Sequence, residues 1–307
     1  MKACIDIGGT KVSVSLNDGR SHDLVARRHE PTAKSGSRDA VARQILRMVD
    51  EACAEAGIAP DAVQAAGVAS CGPFVRVDGA IEVAAPNICG GLAGPPGRLP
   101  NDWTSAVLEA PLARRFARLR VENDGIAALE AERRWGALQG VDDCAYVTWS
   151  TGVGTGLCVG GRVLRGKNGN AGHAGHAFVA DDDRIQCGCG NVGDLEALVG
   201  GTFAEPRFGV DAATLMQRAR EGDARALAAV DELCRVMGRG LYNLVATLDL
   251  QRISLGGSVF CHNQELLLPR LQAEVRRHLP ALTAGCELVP AGLGERVGDY
   301  AALALLD

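Results

Sequence analysis

The sequence predicts an α/β chain folded in two halves, and three observations carry that expectation. An apolar run, a glycine turn and a second strand-like run occur twice, at Ala3–Leu16 and at Ala145–Gly161. Strand-like segments are interleaved with segments of helical period. At 307 residues, 47% hydrophobic and 22% charged, the chain exceeds one ordinary domain and can bury sizeable cores. The net charge of −5 gives no basic footprint for nucleic acid. Eleven cysteines, an odd number scattered through the elements, suit free thiols in a reducing compartment better than a disulfide framework. No apolar run reaches the ~20 residues of a membrane span and the N-terminal stretch has no cleavage-site pattern, so the expected location is the cytoplasm.

The elements follow in order. Strands are expected near 2–7, 12–17 and 22–29, then a helix over 37–57 whose Val41, Ile45, Met48, Val49 and Ala52 share one face. Ser37 and Asp39 suit its cap and its dipole. Strands follow near 63–70 and 80–84, and Asn87 to Trp103 reads as a long loop forming the lip of a cleft. The second half opens with a strand at 118–122 and a helix at 124–137. It continues with the strands flanking 150–156, helices between 194 and 249, and a strand, glycine turn and helix start over Arg252–Phe260. An apolar helix at 296–306 is expected to pack back on the first domain. The predicted division is therefore 1–117 plus 296–307 against 118–295.

Four segments carry chemistry. In Asp6-Ile-Gly8-Gly9-Thr10-Lys11 the glycines let backbone N–H groups approach an anion, Thr10 and Lys11 add donors, and Asp6 can hold a hydrated Mg²⁺. Thr151-Gly152-Val153-Gly154 repeats the turn, and Gly256-Gly257 offers a third set of backbone donors for an adenosine or phosphate edge. The run Gly152 to Gly156 superficially resembles a dinucleotide fingerprint, but residues 157–164 read as strand, turn and strand where that fingerprint needs a helix. Asp124, in Glu122-Asn123-Asp124-Gly125, sits where a strand ends and a helix begins, a place suited to an N-cap or to a catalytic carboxylate. His176, Cys187, Cys189 and Asp194 supply a zinc-like donor set; the alternative is a segment held by packing without metal. Asp181 to Asp183 reads as a solvated turn.

Together, Asp6–Lys11, Glu122-Asn123-Asp124, Ser150–Gly156 and Asn170-Ala-Gly-His173-Ala-Gly-His176 through Glu196 resemble, in order, the motifs of the ROK family of sugar kinases and sugar-responsive repressors. The resemblance covers essentially the whole chain. It implies a two-domain, actin-like (ribonuclease-H-like) sugar kinase fold with an interdomain cleft, using ATP and Mg²⁺ to phosphorylate a hexose at its 6-hydroxyl. Glucose is the leading substrate, and N-acetylmannosamine or another amino sugar the alternative. A sugar-responsive transcription regulator is disfavoured, since no helix-turn-helix or basic arm precedes Asp6, and a catalytically silent sugar-sensing regulator stays as the less favoured reading. By resemblance Asp124 is the catalytic base; Gly72, Asn87, Asn123, Asp124, His173, His176 and Glu196 meet the sugar; and Asp6, Gly8, Gly9, Thr10, Lys11, Thr151, Gly152, Val153, Gly154, Gly256 and Gly257 meet the nucleotide. The zinc would be structural and the assembly a homodimer, with neither nucleic acid nor membrane as partner. Two positions depart from the family pattern: His173 stands where the kinases commonly carry Glu, and Asp194 stands where the last zinc Cys would be.

Overall fold

The structure is a computed structural model that describes residues 1–92, 99–181 and 184–306. The tip of the expected long loop, 93–98, and residues 182–183 of the acidic turn lie outside the described residues. Two compact units divide the chain, one formed by Met1–Ala131, Arg165–Ala171 and Gly298–Asp307, the other by Glu132–Leu164 and Gly172–Val297.

In the first unit the apolar run Ala3–Ile5 gives β1 (Lys2–Ile7), the alternating Val12, Val14 and Leu16 give β2 (Lys11–Asn17), and β3 (Leu24–Pro31) follows at the edge, the three antiparallel in succession. Helix α1 (Ala40–Glu55) buries Val41, Ile45, Met48, Val49 and Ala52 in the core that holds Ile5, Ile7, Val12, Val14 and Leu16. Asp39 takes the N-cap position, but neither its side chain nor that of Ser37 makes a capping hydrogen bond to the helix. The Ser37 hydroxyl donates to Asp39 at 2.7 Å and Arg43 pairs with that carboxylate, so the expected cap is spent within the turn. Strand β4 (Ala65–Ser70) runs parallel to β1. Strands β5 (Phe74–Val77), β6 (Ala80–Val83) and β7 (Ala106–Val107) form a small antiparallel sheet, of which only the 80–84 strand was expected. After α2 (Glu109–Arg115), β8 (Arg118–Asn123) pairs in parallel with β4.

That pairing corrects the predicted division at 117/118: β8 completes the first sheet, in order β3-β2-β1-β4-β8, and the unit runs on through most of α3 (Asp124–Trp135). The segment Arg165–Ala171 also belongs here. Arg165 donates to Glu122 at 2.5 Å and to Glu130 at 2.9 Å, and the Asn170 amide exchanges hydrogen bonds of 2.7 and 2.8 Å with the backbone of Phe74. The C-terminal helix Val297–Ala304 lies close to β4, where a Cβ on Gly67 would fall 2.0 Å from the Ala302 carbonyl oxygen.

The second unit is built on β9 (Cys144–Trp149), β10 (Val153–Val159), β11 (Arg162–Val163), β12 (Arg252–Gly256) and β13 (Glu287–Pro290), in sheet order β11-β10-β9-β12-β13. The 157–164 stretch is strand and turn, as its pattern requires. Its helices are α4 (Leu195–Val199), α5 (Ala204–Phe208), α6 (Ala212–Arg220), α7 (Ala224–Leu248), α8 (Ser258–Cys261), α9 (Gln264–Arg276) and α10 (Pro280–Thr283). Asp211 and Asp223 cap α6 and α7 through their side chains. The apolar face of α7, with Val230, Leu233, Met237, Leu241 and Val245, shares a core with Leu267, Leu271 and Val275 of α9 and Ile253 and Leu255 of β12.

Candidate active site

Register fixes the first group of residues. Ile7 lies opposite Ser70 and Ser70 opposite Asn123, so the parallel strands β1, β4 and β8 end flush. Ligands of open parallel sheets gather at such carboxyl ends. Here that edge carries Asp6, the Gly8–Thr10 turn, Cys71-Gly72 and Asn123-Asp124. The Gly8 N–H donates to the Lys11 carbonyl at 2.8 Å and the Thr32 hydroxyl to the Gly8 carbonyl at 2.7 Å, fixing the turn while Thr10 and Lys11 remain exposed. A Cβ on Gly9 would fall 2.0 Å from Asn87 Nδ2, so this glycine is what lets Asn87 approach the turn. Burial, and next the charge of Asp124, push half-buried Asp6 up to about 7, while Lys11 pulls it down. The Cys71 thiol is raised by burial and by the same two carboxylates. Asp124 is exposed and begins α3; the N–H of Gly125 donates to Asp124 at 2.8 Å and to the Asn123 side-chain oxygen at 3.0 Å. Glu122 is taken up instead by ion pairs with the part-exposed Arg165 and Arg120.

The second group forms within the other unit. Ser150 N–H donates to the Gly152 carbonyl at 2.9 Å, closing the turn between β9 and β10. Gly201 and Thr202 N–H groups donate to the Ser150 and Thr151 carbonyls at 2.8 and 3.1 Å. Strand β12 is parallel to β9 with Gly256 opposite Thr148, which brings the Gly256-Gly257 turn beside this hairpin. Gly257 has φ of 86°, and a Cβ there would meet the Trp149 carbonyl oxygen at 2.4 Å, so only glycine fits. The Ser150 and Ser258 hydroxyls lie 2.9 Å apart; Ser258 was not singled out from the sequence, although its place at a helix start after two glycines was a signal. The Val153 N–H, an expected nucleotide contact, donates to Glu196 Oε2 at 2.9 Å. Glu196, expected on the sugar, thus braces the hairpin, and its other oxygen lies 3.5 Å from Cys187 Sγ.

The His173–His176 segment lies flat on β10. Cβ atoms on Gly172 and Gly175 would fall 2.6 and 2.2 Å from the carbonyl oxygens of Thr155 and Val153, which explains the glycine spacing of that motif. His173 is half-buried, its ring centroid 6.0 Å from that of His176.

His176, Cys187, Cys189 and Asp194 converge, with all ligand atoms within 4.8 Å of one another. His176 Nδ1 is 3.3 Å from Asp194 Oδ2 and 3.7 Å from Cys187 Sγ, and Cys189 Sγ is 3.4 Å from Asp194 Oδ2. A tetrahedral zinc with N, O and S ligands has edges of about 3.4–3.8 Å; the three separations just given lie close to that range and the whole set within 4.8 Å, so the donors are compatible with that ion. The fully buried Asp194 divides its oxygens: Oδ1 caps α4 by accepting from Ala197 N–H at 2.8 Å, and Oδ2 faces the cluster. Burial would raise this carboxyl, but the hydrogen bonds from His176 and Ala197 hold it below the usual carboxylate range. Hydrogen bonding to Asp194 raises His176 against the opposing effect of burial. Burial raises both thiols, which favours their neutral form; serving as metal ligands would require both to lose a proton.

Two α/β units, each organised around a strand, glycine turn and strand, are the actin-like sugar kinase fold class. The chain matches the ROK family over residues 2–307 and belongs to it. A glucokinase from Aeropyrum pernix is 30% identical, over 98% of this chain and 95% of its own length. An N-acetylmannosamine kinase from Escherichia coli O157:H7 is 34% identical over 83% of this chain and 82% of its own. The crystal structure of a ROK family glucokinase from Streptomyces griseus in complex with glucose and AMPPNP superposes with a TM-score of 0.73 at 27% identity, covering 99% of this chain and 98% of that one. No described helix is long and apolar enough to cross a membrane.

Proposed function

We propose that this chain is an ATP- and Mg²⁺-dependent hexose kinase that phosphorylates the 6-hydroxyl, with glucose as its leading substrate. The observation that carries this reading is the carboxyl edge of the first sheet, where the charge of Asp124 helps raise Asp6 beside an exposed Thr10-Lys11 turn. Protein catalysis of phosphoryl transfer consists of orienting the attacking hydroxyl, balancing charge on the phosphates and accepting the hydroxyl proton. Asp124 takes that proton as the sugar oxygen attacks the γ-phosphorus and the bond to the β-phosphate oxygen breaks, releasing ADP. Asn123, whose carbonyl oxygen is engaged by Gly125 N–H, turns its amide N–H₂ toward a sugar hydroxyl. Lys11 and the Gly8-Gly9 turn meet the phosphates, and Gly152, Gly154, Gly256 and Gly257 let the nucleotide approach the backbone. Asp6 would hold a hydrated Mg²⁺, which supplies charge neutralisation at the phosphates.

A zinc ion held by His176, Cys187, Cys189 and Asp194 belongs to the same reading as a structural element, bracing α4 and, through Glu196, the second hairpin. An amino-sugar reading is favoured by one residue: His173 supplies an imidazole where an anionic acceptor is usual, as the resemblance to N-acetylmannosamine kinases suggests. Assaying glucose, mannose, glucosamine, N-acetylglucosamine, N-acetylmannosamine and fructose at fixed ATP decides between them. Glucose is expected to give the highest kcat/KM and a 6-phosphate product. Failure of every sugar to stimulate ADP release would sink the kinase reading.

A further inference from the structure

We infer that Glu132 is a positioning residue for Asp124, anchoring the far end of the helix that begins with it; the inference rests on the kinase reading above. Helix α3 starts at Asp124 in the first unit and passes into the second between Ala131 and Glu132. Glu132 is fully buried, with 0% exposure. A carboxylate taken out of water is costly unless its lone pairs are filled. Here they are filled from three separate stretches of backbone and side chain. Oε2 accepts from Ala137 N–H at 2.8 Å, from the buried Ser254 hydroxyl at 3.1 Å and from Gly292 N–H at 2.9 Å. Oε1 accepts from Leu293 N–H at 2.8 Å.

The surroundings are shaped to that carboxylate. A Cβ on Gly136 would fall 2.4 Å from its oxygen, and a Cβ on Gly292 would fall 2.5 Å from Ala137 N. Side chains at either place would drive the knot apart. The knot gathers the last turn of α3, strand β12 and the stretch leading to Val297, after which the chain returns to the first unit. One buried group therefore grips two of the stretches by which the chain passes between units. Eight residues of helix separate Asp124 from Glu132, about 12 Å. A tilt of roughly 5° at the anchor would displace Asp124 by about 1 Å, enough to cost on the order of 100-fold in a positioned reaction.

Glu132→Gln tests this. The amide keeps the shape but must turn its N–H₂ toward N–H donors in either orientation. Assayed well below its melting temperature, the variant is expected to lose about 10- to 100-fold in kcat, with KM for sugar and for ATP, and the sugar Kd without ATP, within about 3-fold of wild type. A lower melting temperature with kcat per folded molecule unchanged, or a loss confined to KM, overturns the inference and reduces Glu132 to a stabilising group. Should Glu132→Gln fail to fold, Ser254→Ala removes a single bond of the knot and is expected to lower kcat about 3-fold at constant KM; unchanged kcat overturns the inference equally. Wild-type protein inactive on every sugar removes the kinase reading and this inference with it, whereas an active wild type with fully active variants removes the inference alone.

Discussion

The turn after β1 and the turn after β9 share one backbone plan, and their surroundings differ. The first opens onto charge: Asp6 precedes it, exposed Lys11 follows it, and Asp124 stands at the end of β8, beyond β4 on the same sheet edge. The second is wedged. Gly201 and Thr202 hold its carbonyls, Ser258 meets Ser150, Glu196 takes the Val153 N–H, and a Cβ on Gly152 would fall 2.3 Å from a Glu196 oxygen. A titrating edge can exchange protons and cations, whereas a wedged turn offers fixed backbone. Substitutions around the first should therefore change turnover, and substitutions around the second should change grip and stability.

The largest effect that can break this contrast belongs to Asp124→Asn. It is expected to lower kcat by about 10³-fold or more while leaving the sugar Kd within a few-fold, since general-base catalysis contributes about 10²–10⁴-fold; turnover at the wild-type rate would refute the assignment. Next comes Cys187→Ser on the opposite side of the comparison. We expect bound zinc to fall from about one per chain toward zero and the melting temperature to drop by roughly 10 °C, because structural metal binding is folding free energy. Metal-free native protein with the same melting curve as the variant would dismiss the site.

A smaller loss is expected for Gly257→Ala. Its φ of 86° and the Trp149 carbonyl at 2.4 Å leave no room for a methyl group. A melting temperature lower by about 5 °C and a raised KM for ATP should follow, with kcat less affected. An ATP KM equal to wild type would separate this turn from the nucleotide. The smallest effect concerns Asp6. Its pKa is raised to about 7 from 3.8, so between those values the folded chain keeps a proton that the unfolded chain releases, and stability falls as pH rises. Asp6→Asn, which is neutral throughout, should melt with wild type near pH 4 and a few degrees above it at pH 8 without Mg²⁺. Parallel melting curves across that range would show that Asp6 is not strained by burial and by Asp124.

Much of this was legible in the sequence because the informative signals were local. The β1–β2 hairpin, the face of α1, the β12–Gly256-Gly257–α8 succession and the four metal-site donors each follow from residue type and short spacing. What escaped depends on distant pairing. Nothing within Arg118–Asn123 says that it joins β4 rather than starting a second domain; the parallel register does. The β5–β7 sheet escaped because β7 is only two residues long, too short for a period to show. The Val153–Glu196 bond joins residues whose motifs implied separate ligands, and no spacing rule couples them. Asp194 could be read as a candidate ligand from its neighbours, but its role as the cap of α4 required seeing where the helix begins.

The chain changes unit at four places, after Ala131, Leu164, Ala171 and Val297. Expressing residues 1–117 and 118–295 as separate fragments would strip the first sheet of its β8 edge and part Phe74 from Asn170. A nick in the short Arg165–Ala171 passage would uncouple Asn170 from Phe74 without removing a single candidate ligand of sugar, nucleotide or metal. Interleaving of this kind means that no single cut in the gene would release either unit intact.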